Sequence, residues 1–168
     1  MKHFLALCIL ALGLVSCSGS KSVSQKKTHT SPNKTRAHTK LALTRNIVNS
    51  AKKYTGVPYK WGGTTRAGMD CSGLVYQAFK AHNISLPRVS RDMAKQGYRI
   101  PTKQVKQGDL LFFKVAKKSS TVNHVGLVTK NQANTITFIH ATSSKGVISS
   151  TLNQKYWKNA FHEARRVL

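Results

Sequence analysis

Residues 67–79 read AGMDCSGLVYQAF, and this stretch predicts a helix that begins at Cys71. Apolar residues recur behind the cysteine at helical spacing, namely Leu74, Val75, Ala78 and Phe79. Asp70 precedes the helix in the N-cap position, where a carboxylate accepts a backbone N–H of the first turn. We expect the helix to end near His82 and Asn83. Cys71 would then lie among unpaired backbone N–H groups, at the positive end of the helix dipole.

A second helical pattern precedes this stretch, and a run of strands follows it. Residues 41–56, LALTRNIVNSAKKYTG, carry apolar residues near helical spacing and end at Gly56, with Pro58 just beyond. Five later segments are short and rich in β-branched or aromatic residues: 109–116, 124–130, 135–141, 147–151 and 161–168. Helices followed by strands predict an α+β domain, with N-terminal helices packed on an antiparallel β-sheet of about five or six strands.

The first seventeen residues have the layout of a secretory signal. A short basic start, residues 1–3, precedes twelve apolar residues, 4–15, which are too few to span a bilayer comfortably. Residues 14–17, LVSC, resemble a bacterial lipobox, in which the cysteine (here Cys17) is lipidated and becomes the mature N-terminus. An uncleaved anchor, or an ordinary signal that ends near a cysteine, is the alternative. We expect a protein of the cell envelope held by lipid on Cys17, at the outer membrane facing the periplasm if the source is Gram-negative.

Residues 18–40 differ in composition from the rest of the chain. They contain no aromatic residue and six Lys or Arg. This composition is typical of a flexible, basic tether, with a root-mean-square span of roughly 25–30 Å. We therefore divide the chain into a signal (1–17), a tether (18–40) and one folded domain (41–168).

The charge of the chain limits its chemistry and its partners. It has 28 Lys and Arg against 4 Asp and Glu, for a formal net charge of +24. So few carboxylates exclude a multi-aspartate metal site. A surface this basic attracts polyanions, which could be nucleic acid, anionic lipid or an acidic cell-wall polymer. The export signal, and the lack of an aromatic single-strand platform or recognition motif, speak against nucleic acid.

Cys71 is unusual because the other two cysteines of the sequence have different predicted roles. Cys8 lies in the signal and Cys17 would carry lipid, so Cys71 is left alone in an oxidising compartment, where cysteines are normally paired. Such a cysteine is either a reactive thiol or half of an intermolecular bridge. A buried structural cysteine is the other reading, but Asp70 and Ser72 would make a poor apolar pocket for it. The helix start predicts a lowered pKa for the thiol.

Two histidines lie on predicted strands, each on a face that is otherwise largely apolar. They are His124, which shares a face with Val128, and His140, which shares one with Phe138. A lone histidine of this kind is most often a core residue. Two of them with an unpaired thiol favour a relay, in which His124 takes the thiol proton and His140 fixes the tautomer of His124. One Cys and two His could also bind zinc, but no closely spaced ligand pair is present, so we expect no metal and no cofactor.

Five blocks of sequence occur in a fixed order. They are YKWGG with DCSGLV (59–63 and 70–75), LPRVS (86–90), GDLLFF (108–113), NHVGLV (123–128) and FIHA (138–141). Together they resemble the NlpC family of bacterial cell-wall cysteine endopeptidases, which have a compact papain-like fold. The resemblance covers roughly residues 43–168.

The resemblance implies a role for each matching residue. It makes Cys71 the nucleophile, His124 the base and His140 the residue that orients the base. It assigns Tyr59 to the oxyanion hole, Asp70 and Ser72 to supporting roles, and Arg88 and Trp61 to the substrate groove.

The resemblance also implies the reaction: hydrolysis of amide bonds in peptidoglycan stem peptides through an acyl-enzyme on Cys71. The target would be the D-γ-glutamyl–diamino acid bond or the D-alanyl–diaminopimelate cross-link. We expect a monomer that acts on the polymer. A non-catalytic wall-binding lipoprotein, and an acyltransferase or other amidase on the same scaffold, are the alternatives.

Overall fold

Four α-helices lie in the part of the chain that the computed structural model describes, residues 32–115 and 119–168. They are Pro32–Lys52 (α1), Cys71–Lys80 (α2), Ser90–Met93 (α3) and Lys155–Ala160 (α4). None of the helices described is long and apolar enough to cross a membrane. The predicted signal, its lipidation site Cys17 and residues 18–31 of the predicted tether lie outside the described residues.

Helix α1 begins earlier than the sequence predicted. It starts at Pro32, so the expectation of a flexible tether up to residue 40 and a domain starting at 41 is wrong for residues 32–40. Residues 34–40 are all exposed, and the buried positions of the helix begin only at Thr44. The first turns therefore carry no apolar pattern that could have marked them as helical. Pro32 stands at the first helical position, where its missing N–H costs nothing.

The same described residues contain eight strands, which lie between or after the helices. They are Thr64–Thr65 (β1), Gly68–Met69 (β2), Tyr98–Ile100 (β3), Leu110–Phe113 (β4), His124–Gln132 (β5), Thr135–Thr142 (β6), Gly146–Thr151 (β7) and Phe161–Arg166 (β8). β1 and β2 form a small hairpin, and the other six form one antiparallel sheet in the order β3-β8-β4-β5-β6-β7. The predicted α+β architecture with about five or six strands is confirmed. β3 escaped prediction because it is only three residues long and mostly exposed.

The sheet is buried on both faces, which separates the apolar core into two clusters. On one face α1 and α2 pack against residues that include Val125, Leu127 and Ile139. On the other face Phe113, Phe138 and Trp157 are the large members of a second cluster. Burial on both faces explains why β4, LLFF, is apolar without alternation and is buried at every position. The site described next lies where the start of α2 meets the start of β5.

Candidate active site

The turn into α2 is built around Asp70, as the sequence predicted. The Asp70 carboxylate accepts the Gly73 N–H at 2.6 Å as an N-cap, and its second oxygen accepts the Gly62 N–H at 2.9 Å. Gly73 is required by close packing, because a Cβ there would lie 2.1 Å from the carbonyl oxygen of Gly63. The loop before the hairpin thus rests directly on the first turn of the helix, and this contact fixes where the helix starts.

Arg88 joins this turn through an ion pair. Its Nη2 lies 2.8 Å from Oδ2 of Asp70, and its Nη1 donates to Oδ1 of Asp70 at 3.0 Å and to Oγ of Ser72 at 2.9 Å. Burial alone would raise the pKa of Asp70. The hydrogen bonds from Arg88, Gly73 and Ser72, together with the charge of Arg88, outweigh burial and lower the pKa of this carboxyl. Asp70 therefore stays ionised. Arg88 supports the helix start, and it also lines the cavity described below.

The Cys71 thiol is buried and unpaired at the first position of α2. Burial raises its pKa to about 11, and the negative charge of Asp70 acts in the same direction. Backbone N–H groups of Val125, Ser72 and Cys71 itself point at the sulfur and oppose this rise without cancelling it. The predicted lowering of the thiol pKa is therefore wrong for this state, because the cost of desolvating a thiolate exceeds what the helix start supplies. The resting thiol is protonated at neutral pH.

A chain of hydrogen bonds runs through the two histidines. Nε2 of His124 lies 3.0 Å from Nδ1 of His140, and Nε2 of His140 lies 2.9 Å from Oγ of Ser150. All three residues are buried. Burial lowers the pKa of His124 to about 4, and burial and the charge of His124 lower that of His140 to about 3. Both rings are thus neutral at neutral pH. Nδ1 of His124 takes no part in this series of hydrogen bonds.

Aromatic rings enclose this pair of histidines. Trp157 of α4 stacks on His124 with centroids 5.2 Å apart and rings 23° from parallel, and it meets His140 edge-on at 4.5 Å. Phe138 covers His140 at 4.8 Å. Gly126 leaves room for this packing, because a Cβ there would lie 2.4 Å from the Phe138 ring. Because these aromatic rings surround the histidines, burial rather than a charged neighbour has the largest effect on the pKa of each histidine.

A cavity of about 1120 Å³ brings most of the predicted site residues to one surface. The residues that line it include Tyr59, Trp61, Asp70, Cys71, Ser72, Arg88 and His124. His140 lies behind the wall, fully buried. Burial raises the pKa of Tyr59, and the charges of Cys71 and Asp70 act in the same direction. Trp61 is 86% exposed and forms part of the rim.

The charge on the cavity wall is positive. Arg91 and Lys145 line the cavity along with Arg88, and Asp70 is the one acid among its lining residues. Because Asp70 is already paired with Arg88, the cavity favours anionic ligands. Within the described parts of the chain, no group of three His, Cys, Asp or Glu side chains is placed to hold a metal ion.

Sequence reasoning missed two residues of this site. Ser150 lies in the predicted strand 147–151, but only the pairing of β6 with β7 shows that it reaches His140. Trp157 lies outside the five sequence blocks, and its contact with both histidines depends on how α4 folds back on the sheet. An alternating strand pattern could have placed Ser150 on one face, but nothing in the sequence links Trp157 to the histidines.

Comparison with known proteins gives a consistent set of relatives. The family model described as NlpC/P60 family matches residues 56–166. The chain is 33% identical over 166 residues to "Probable endopeptidase NlpC" of Escherichia coli (strain K12), covering 98% of this chain and 99% of the relative. It is 37% identical over 123 residues to "Murein DD-endopeptidase MepS/Murein LD-carboxypeptidase" of the same organism, covering 73% of this chain and 62% of that protein.

Solved structures agree with the sequence relatives. A crystal structure of an NlpC/P60 family protein from Bacillus cereus ATCC 10987 superposes with a TM-score of 0.68 at 29% identity. The match covers 74% of this chain and 40% of that chain, so it concerns part of a longer chain. The predicted papain-like α+β fold is therefore confirmed.

Proposed function

This chain belongs to the NlpC/P60 family, and we propose that it is a cysteine endopeptidase that hydrolyses amide bonds in the stem peptides of bacterial peptidoglycan. One observation carries the proposal. An unpaired thiol and a neutral imidazole line the same cavity, and that imidazole is held from behind by a second buried histidine. A wall-binding protein without catalysis would not require an unpaired thiol and an imidazole with a free Nδ1 in one cavity.

The acylation step follows from the neutral resting state. As the Cys71 sulfur attacks the carbonyl carbon of the substrate, the thiol proton moves to Nδ1 of His124, and the carbonyl oxygen becomes an oxyanion. The oxyanion collapses, the C–N bond breaks, and the His124 imidazolium gives its proton to the leaving amine. A thioester on Cys71 remains. Water then attacks the thioester with His124 as base, which releases the acid and restores the thiol.

Two groups of donors are available for the oxyanion. The backbone N–H groups of Cys71 and Ser72 point towards the sulfur at the start of α2, where N–H groups of a helix lack partners. The Tyr59 hydroxyl lies on the same cavity wall. The stacked Trp157 ring favours the imidazolium that forms during the step, by a cation–π contact with His124.

The positive cavity fits a substrate that carries carboxylates. Arg91 and Lys145 are exposed, and both line the cavity. Stem peptides have free carboxylates on both sides of the bonds in question. The relatives include one protein named murein DD-endopeptidase and one named gamma-D-glutamyl-L-lysine dipeptidyl-peptidase, so both bonds are candidate targets.

We further propose that the chain is a lipoprotein of the cell envelope, attached through lipid on Cys17 and acting as a monomer. The lipobox-like residues 14–17 support the anchor, and the basic residues of 18–40 suit a segment close to anionic lipid and wall. Metabolic labelling with a fatty-acid analogue, comparing the wild-type protein with Cys17→Ala, tests the anchor. Equal labelling of the two proteins would rule it out.

Identification of the products tests the reaction. Purified sacculi and a defined cross-linked muropeptide dimer are incubated with the enzyme, and the products are analysed by mass spectrometry. We expect hydrolysis that splits the dimer and leaves new carboxyl and amino termini. An adduct in place of a new carboxyl terminus would indicate an acyltransferase. Binding to sacculi without any product would indicate a wall-binding protein.

A further inference from the structure

Ser150 ends the hydrogen-bond chain that begins at His124. In the pairing of β6 with β7, Phe138 lies opposite Ser150 and His140 lies opposite Ile148. His140 and Ser150 are therefore diagonal neighbours on one face of the sheet, a separation that a long side chain can bridge. The Ser150 hydroxyl is 2.9 Å from Nε2 of His140 and is buried with it. In the described structure it is the group that hydrogen-bonds this nitrogen.

The proton positions in the chain depend on one another. To act as the base, His124 must present a bare Nδ1 to the thiol, so its proton must be on Nε2. The Nε2–H then donates to His140, whose Nδ1 must be bare, so the proton of His140 must be on its own Nε2. That Nε2–H needs a buried acceptor, and the Ser150 oxygen is in place to accept it.

The opposite arrangement satisfies the same distances but is inactive. If Ser150 donated to His140, then His140 would carry its proton on Nδ1 and donate to Nε2 of His124. The proton of His124 would then sit on Nδ1, facing the thiol, and His124 could not accept another proton there while remaining neutral. Which arrangement dominates therefore depends on whether the group at position 150 accepts or donates.

We propose that Ser150 is a positioning residue: it accepts the Nε2–H of His140 and so holds His124 in the tautomer that can take the proton of Cys71. The inference rests on the proposed function only for its kinetic readout. Removing the hydroxyl would leave a buried N–H of His140 without an acceptor in the active arrangement but only a bare ring nitrogen without a donor in the inactive one, and the unpaired N–H is the more costly, which disfavours the active tautomer. The loss should appear in kcat, because the substrate still binds the same cavity.

Three variants separate positioning from simple packing. Ser150→Ala removes the acceptor and should lower kcat on a cross-linked muropeptide dimer by about tenfold to a hundredfold, with little change in KM. Ser150→Thr keeps the hydroxyl and should recover most of the lost kcat. Thr151→Ala, one residue further along β7 with its side chain on the other face, is the matched control and should retain wild-type kcat. A folded Ser150→Ala protein with wild-type kcat would overturn the proposal.

Nitrogen NMR of the histidine rings gives a test that does not depend on activity. In ¹⁵N-labelled wild-type protein at neutral pH, we expect both His124 and His140 to be protonated at Nε2. In Ser150→Ala we expect a population of the Nδ1–H forms to appear. Finding His140 protonated at Nδ1 in the wild-type protein would contradict the inference, even if Ser150→Ala failed to fold. Absence of any hydrolysis by the wild-type protein would instead defeat the proposed function and leave this measurement intact.

Discussion

Two polar clusters lie near Cys71, one partly exposed and one buried, and they satisfy their polar groups in opposite ways. On the helix side, Asp70 and Arg88 form an ion pair and carry fixed charges. On the sheet side, His124, His140 and Ser150 form a chain that is neutral at neutral pH. In the first cluster the charges hold the backbone in place. In the second, the mobile protons are available for chemistry.

The difference explains how a buried thiol can react in the mechanism proposed above. Burial raises the pKa of Cys71 and the carboxylate of Asp70 adds to the rise, so the charged cluster does not favour a thiolate in the resting protein. The neutral chain presents His124, the proposed base, on the same cavity as the thiol. In the proposed mechanism the thiolate is therefore generated when the proton moves to His124 during attack, and it is not stored beforehand.

Replacing His124, the first residue of the neutral hydrogen-bond chain, should have the largest effect on activity. His124→Ala removes the proton acceptor, and we expect kcat to fall by about 10³-fold or more while the protein remains folded. The cross-linked muropeptide assay measures this loss. His82→Ala is a suitable control, because His82 bonds Ser50 away from the cavity. Substantial activity in His124→Ala would remove His124 from the mechanism.

Because the buried histidines are neutral, the protein should become less stable in acid. The pKa of His124 is about 4 in the folded state against 6.5 for an ordinary histidine, so below pH 6.5 the unfolded chain binds more protons than the folded one. Stability should fall as the pH drops from 6.5 to 4, by about 2–3 kcal/mol from His124 alone. Urea unfolding at a series of pH values measures the slope. The slope should shrink in His124→Gln, and an unchanged slope would count against a neutral buried ring.

Breaking the charged cluster should cost less. Arg88→Met leaves the Asp70 carboxylate without its cation, and because Arg88 is partly exposed we expect a loss of about 2 kcal/mol in unfolding free energy. Asp70→Asn combined with Arg88→Met should recover part of that loss, since the asparagine can still cap the helix. A double-mutant cycle from urea unfolding gives the coupling. Additive effects of the two substitutions would mean that the ion pair is not coupled energetically.

The smallest effect concerns the resting thiol. With a pKa of about 11 for Cys71, the wild-type protein should show no thiolate absorbance in the ultraviolet between pH 5 and about pH 8, relative to Cys71→Ser. A thiolate signal in that range would show that the resting thiol is ionised. The contrast between the charged and neutral clusters would then be wrong.

Much of the fold could be read from local patterns, and part of the site could not. The Asp70 cap and the apolar spacing after Cys71 located α2, and the β-branched segments located five of the six strands of the main sheet. The first turns of α1 and the exposed strand β3 carry too little apolar pattern to be recognised. The resemblance to a family pointed to Cys71, His124 and His140 together.

Long-range packing determines the features of the site that the sequence did not predict. The direction of the Cys71 pKa shift depends on how deeply the thiol is buried, which no local pattern reports. Ser150 and Trp157 reach the histidines only because β7 pairs with β6 and α4 folds over the sheet. Such contacts join residues that are far apart in the chain.

The most direct test of the account is turnover of a defined cross-linked muropeptide by the wild-type enzyme and by Cys71→Ala. The alanine removes only the sulfur, so the ion pair of Asp70 with Arg88 and the histidine chain should stay in place. We predict cleavage of the cross-link by the wild-type enzyme and a loss of at least about 10³-fold in kcat in the variant. Cleavage by folded Cys71→Ala at a rate near wild type would contradict the central claim that Cys71 is the nucleophile.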